Sequence, residues 1–125
     1  MKISVQYSTV VVKSLAESVA FYRDILGFQE GYHVDFPVGG ITIMHSPNGA
    51  SVELIEAPQF PVGLYSVGTD VDDLEETIAH LKANGYEIEG EIAKTTVGRQ
   101  AFVLDPNGVR ICLIEHTEEY KKKYM

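Results

Sequence analysis

Hydrophobic and polar positions alternate along this chain with two different periods, and the order of those periods occurs twice. A period of two, the mark of a strand with one face covered, runs through about residues 3–12, 28–36, 40–45 and 51–56. It returns at about 64–71, 86–94, 99–104 and 110–116. After the first strand of each half the period lengthens. Leu15, Val19, Tyr22 and Leu26 stand at i, i+4, i+7 and i+11, and Leu74, Ile78 and Leu81 follow the same stripe, so each predicts an amphipathic helix. Ser14 with Glu17 has capping-box spacing, and Asp73 with Glu76 repeats it. Gly27 and Gly85 fall where a helix end calls for a left-handed residue. Each half therefore reads strand, helix, three strands.

The two halves also match residue by residue. Ser46-Pro47-Asn48-Gly49-Ala50-Ser51-Val52-Glu53-Leu54-Ile55-Glu56 reads against Asp105-Pro106-Asn107-Gly108-Val109-Arg110-Ile111-Cys112-Leu113-Ile114-Glu115 at an offset of 59 residues. The same offset carries Val38-Gly39 onto Val97-Gly98 and Leu15 onto Leu74. Such self-similarity is the signature of an internal duplication. The Pro-Asn-Gly steps predict tight turns, with proline presetting φ and glycine accepting a positive φ. The expectation is one domain over 1–125: module one at about 1–58, a linker at 59–63, module two at about 64–116, and a tail at 117–125. Tyr120 and Tyr124, spaced i, i+4, predict a short helix within the tail.

Composition narrows the function classes. A chain of 125 residues with 45% hydrophobic content has room for one compact domain. The net charge of −8 disfavours phosphate backbones and anionic lipid, so neither nucleic acid nor membrane is an expected partner. No apolar run has the length of a membrane span, and residues 1–13 lack the order of a signal peptide. Cys112 is the only cysteine, which excludes an intrachain disulfide and suits a cytoplasmic location.

With the segments "VVVKSLAESVAFYRDILGF" and "GRQAFVLDPNGVRICLIE" set on a βαβββ plan used twice, the chain resembles the vicinal oxygen chelate superfamily, which includes glyoxalase I, bleomycin-binding resistance proteins and extradiol dioxygenases. The resemblance implies an α+β fold of two tandem βαβββ modules, with curled mixed sheets around a cavity and helices on the outer face. It also implies a small-molecule ligand and a homodimer. Enzymes of that family carry metal ligands, usually His and Glu, on the first and last strand of each module. Those positions fall here on Tyr7, Glu53, Ser66 and Cys112, and only Glu53 keeps the usual chemistry. A hydroxyl, a phenol and one thiol are poor company for a divalent ion, so no metal or other cofactor is expected at that quartet.

Glu53 lies between Val52 and Leu54, and alternation turns it away from the helix-facing side, to the side on which the resemblance implies a cavity. There it serves as a catalytic base or as the anchor for a cationic group. Arg110 and Cys112 share one strand face, with Arg110 placed to neutralise Glu53 or meet an anion; Cys112 reads as a small packed residue, since no histidine activates it. Tyr7, Tyr65 and Phe102 are candidate aromatic walls, and Ser66 and His45 candidate ligand contacts. An unusual divalent site would need His33, His45 and Glu53 together; His80 and His116 form no metal-binding spacing. The expected function is metal-independent binding of a small molecule, cationic or neutral. The alternative is a glyoxalase-like lyase or another metal-dependent enzyme of the superfamily with non-standard ligands.

Overall fold

A computed structural model describes residues 1–125. It divides into two compact units, Tyr7–Tyr65 and a second made of Met1–Gln6 with Ser66–Met125. The predicted order, strand, helix, three strands, occurs in both halves, in an α+β architecture.

In the first half, β1 (Ile3–Val11), β2 (Gln29–Asp35), β3 (Gly40–His45) and β4 (Ser51–Glu56) lie in the order β2-β3-β4-β1. β4 runs parallel to β1 and antiparallel to β3. Val19, Met44 and Leu54 form the buried core beneath α1 (Leu15–Ala20), with Leu15, Tyr22, Phe28 and Val52 packed around them. The Ser14 hydroxyl accepts from Glu17 N at 3.2 Å and caps that helix as its spacing predicts. The stripe does not continue to Leu26. Residues Phe21–Ile25 form a π-helical turn, closed by Leu26 N donating to Phe21 O at 3.2 Å. One extra residue in that turn rotates the chain beyond it. Tyr22 stays inside, with its ring 5.5 Å from Phe28, whereas Leu26 is swung outward and exposed.

In the second half, β5 (Gly63–Val71), β6 (Ile88–Thr95), β7 (Gly98–Leu104) and β8 (Arg110–His116) take the corresponding order β5-β8-β7-β6. Val71, Leu74, Ala101, Val103 and Leu113 are its core, under α2 (Leu74–Ala83). The Asp73 carboxylate caps α2 by accepting from Glu76 N at 3.0 Å. Gly85, at φ +90°, ends α2: its N–H donates to Lys82 O, and that of Tyr86 reaches back to Leu81 O. Tyr86 is thus spent on the cap, which is why β6 starts at Ile88 rather than at 86.

The first six residues pack with the second unit. Lys2 N donates to Asp72 Oδ1 at 2.9 Å, and the terminal ammonium lies 3.3 Å from Glu76. The tail forms α3 (Glu118–Tyr124), capped by Thr117, and its Tyr120 ring stacks on His116 at 4.7 Å. No helix is long and apolar enough to cross a membrane.

Candidate functional site

The ladder around β4 fixes the surroundings of Glu53. Its register partner on β1 is Thr9 and on β3 is Ile43. Val52 and Leu54 turn to the helix, so Glu53 faces the other side of the sheet, where Tyr7, Val11, Ile55 and His45 also stand by strand alternation. Tyr7, Thr9 and Ile43 are buried, and Glu53 is half-buried among them. The Thr9 hydroxyl donates to Glu53 Oε1 at 2.8 Å. Burial pushes the carboxyl above its ordinary value of 4.5, and the Thr9 hydrogen bond opposes that only in part. His45 Nδ1 is 2.6 Å from the Ser51 hydroxyl on the same face.

At the corresponding place in the second half stands Cys112, buried, with its thiol donating to Gln100 Oε1 at 3.7 Å. Its register partners are Gly68 on β5 and Phe102 on β7, and Ser66 is buried two residues before Gly68. Arg110 does lie on the face of Cys112, but its Nε donates to Glu89 Oε1 at 3.1 Å. Arg99 is likewise engaged, by Glu75 and Glu115. With both arginines bonded to other carboxylates, desolvation sets the direction of the Glu53 shift.

The alternative set of His33, His45 and Glu53 is not brought together. His33 pairs with Thr42, whose other neighbour is the helix-facing Leu54, whereas His45 pairs with Ser51 on the Glu53 side. The two histidines therefore project from opposite faces of one sheet. His33 is bound instead to Thr42 Oγ1 at 2.7 Å and Asp35 at 2.9 Å. The four positions at which the resemblance implies metal ligands hold a buried phenol, a hydroxyl-bound carboxyl with a raised pKa, a buried serine and a thiol directed at an amide oxygen. That donor set does not fit a divalent transition metal. Asp73, Glu75 and Glu115 do cluster, but Arg99 already bridges the last two.

Sequence reading missed two groups. Thr9 shares a face with Tyr7 by alternation, yet its pairing with Glu53 comes from parallel register, which no local pattern encodes. His116 Nδ1 lies 2.7 Å from Asp70 Oδ1, and its Nε2 is buried without a partner. Burial holds this imidazole below its ordinary value although Asp70 pulls it upward.

The model of the Glyoxalase/Bleomycin resistance protein/Dioxygenase superfamily matches residues 4–113. No curated protein sequence matches the chain. Among solved structures, a hypothetical protein of Bacillus halodurans is similar with a TM-score of 0.79 at 20% identity, covering 94% of this chain and 97% of its own. Methylmalonyl-CoA epimerase from Mycobacterium tuberculosis is similar with a TM-score of 0.79 at 18% identity, covering 94% and 91%. A variant of the Streptomyces coelicolor epimerase in complex with 2-nitronate-propionyl-CoA gives 0.74 at 16%, covering 92% and 95%.

Proposed function

Because this chain belongs to the glyoxalase/bleomycin resistance protein/dioxygenase superfamily, we propose that it binds a small organic molecule against the Glu53 face, without a resident metal. The observation that carries this reading is Glu53 itself, a half-buried carboxyl raised by desolvation and held by one threonine hydroxyl. A carboxylate in that setting gains from a cationic partner more than an exposed one would, because the surrounding dielectric is low. The chain's charge of −8 favours cations and neutral molecules on approach. The family's tendency to pair its modules supports a homodimer as the working form.

A second reading draws on the same carboxyl. A base whose pKa is lifted toward neutrality suits proton transfer to and from carbon, and the fold is shared with methylmalonyl-CoA epimerases. Thr9 would then hold the carboxyl in one orientation. Calorimetry with a panel of cationic, neutral and anionic molecules, on wild type and Glu53→Gln, tests the binding reading. The amide keeps the shape and removes the charge, so cation affinity is expected to fall by about 1.5–3 kcal/mol, the scale of a charge-assisted hydrogen bond. Unchanged affinity would reduce Glu53 to a packed strand residue. Elemental analysis showing about one transition metal per chain, lost with Glu53→Ala, would overturn the metal-free reading.

A further inference from the structure

The helix-covered side of the first module, opposite the Glu53 face, holds a cavity of about 550 Å³. Ala16, Arg23, Glu30, His33, Asp35 and Glu56 are among the residues that line it. Its meaning emerges from the duplicated half. There Glu115 Oε2 accepts from Leu74 N at 2.8 Å, at the first turn of α2, while its Oε1 accepts from Arg99 Nη2 at 2.9 Å. The same guanidinium reaches Glu75 through Nη1 at 2.5 Å and Nη2 at 2.8 Å. One arginine thus joins the last strand to the helix start, and its hydrogen bonds pull Glu75 down to about 2.

The first half keeps the carboxylate and lacks the arginine. Glu56 Oε1 accepts from Leu15 N at 2.7 Å, as Glu115 does from Leu74. The strand register is also kept, Gly40 facing Glu56 as Arg99 faces Glu115. But the position of Arg99 is taken by Gly40 and that of Glu75 by Ala16, so the second Glu56 oxygen receives no hydrogen bond from the protein. The chain cannot readily supply the missing group itself, since a Cβ on Gly40 would stand 2.6 Å from Val34 O. Three lining carboxylates, Glu30, Asp35 and Glu56, face one guanidinium. That guanidinium, on Arg23, is already held by Asp24 at 2.8 and 3.0 Å. Arg23 also lies 3.7 Å from Glu30, and the His33 ring is tied to Thr42 and Asp35. We propose that this cavity is a second binding site, for a small organic molecule with a guanidinium head seated on Glu56 as Arg99 is seated on Glu115. The cavity exceeds the head alone, and Leu15 and Val19 offer apolar surface to the alkyl body.

An ¹⁵N NMR titration with methylguanidinium and agmatine at low millimolar concentration and fixed ionic strength tests this. The Leu15 amide is the reporter, because it already donates to Glu56. Saturable shifts at Leu15 and Gly40 are expected, and none from tetramethylammonium, which has the charge without the N–H donors. Glu56→Gln keeps an oxygen for Leu15 N and removes the charge, so affinity should drop at least about tenfold. Glu53→Gln, on the opposite face, should leave these shifts unchanged, which separates this site from the function proposed above. Ala16→Arg, at an exposed helix position, gives the chain its own guanidinium and should block binding even if the Glu56 variant fails to fold. Shifts that never saturate, or equal affinity in the Glu56 and Ala16 variants, would overturn the proposal.

Discussion

The Glu53 carboxyl and the His116 imidazole are both displaced by burial, and the displacements act on stability with opposite signs. For Glu53 the folded pKa lies above the unfolded 4.5, so the folded chain holds the proton more tightly. The Glu53 contribution to stability is then greatest in acid and is lost as pH rises from 4.5 through the folded value. Glu53→Gln removes that cost, and its urea midpoint should exceed that of wild type at pH 7, with the gain shrinking toward pH 4. A gain that does not change with pH would contradict a raised pKa. For His116 the folded pKa lies below 6.5, chiefly through desolvation, with Asp70 opposing. Below pH 6.5 the unfolded chain takes up a proton that the folded chain resists, so stability falls on acidification. His116→Phe keeps a ring against Tyr120 and removes the titration. Its stability should fall less than that of wild type between pH 7 and 5, and parallel curves would exclude His116 as the cause. The alternation of β4 suffices to place Glu53 on the sheet face opposite the helix. Thr9, which sets its orientation, is not, because a parallel register is a tertiary fact.

At the scale of elements, the legible part is whatever local chemistry dictates: caps, turn glycines and strand alternation. The β1–α1 and β5–α2 junctions follow Ser14 and Asp73, and the positive φ of Gly49 and Gly108 follows their Pro-Asn-Gly turns. The π turn at Phe21–Ile25 cannot be read, since its stripe is indistinguishable from that of a straight helix until Tyr22 must meet Phe28. Gly39 shows how tightly the duplicated plan is enforced. It sits at φ +91°, and a Cβ there would overlap Glu56 O; Gly98 repeats the close approach at Glu115 O. Gly39→Ala therefore combines backbone strain with a clash against main chain that cannot swing aside. Strain alone costs about 1–3 kcal/mol, so thermal or urea unfolding should show a loss of at least that size. A neutral result would mean that the β3 hairpin can shift away from β4.

At the scale of the molecule, the 59-residue duplication is visible in full in the sequence, because both halves repeat caps and turns as well as apolar positions. It leaves unread a shared exposure of apolar residues. Ile3 and Val5 precede Tyr7 on β1 with 47% and 70% of their surface exposed. Their counterparts, Val62 just before β5 and Leu64 at its start, are 68% and 73% exposed. Alternation puts Ile3 and Val5 on the Glu53 side of β1, and Leu64 on the side of Ser66 on β5. Leaving such apolar surface in water is unfavourable, and burial between two copies of the chain would cover it. Wild type is therefore expected to sediment as a dimer at micromolar concentration. Val5→Lys with Leu64→Lys should give the monomer mass without altering the circular dichroism spectrum, because neither side chain belongs to a core cluster. Ile25→Lys, an equally exposed apolar position on the π turn, should leave the dimer intact and serves to separate a specific interface from general surface hydrophobicity. A monomeric wild type, or dissociation by Ile25→Lys alone, would place the interface elsewhere or deny it.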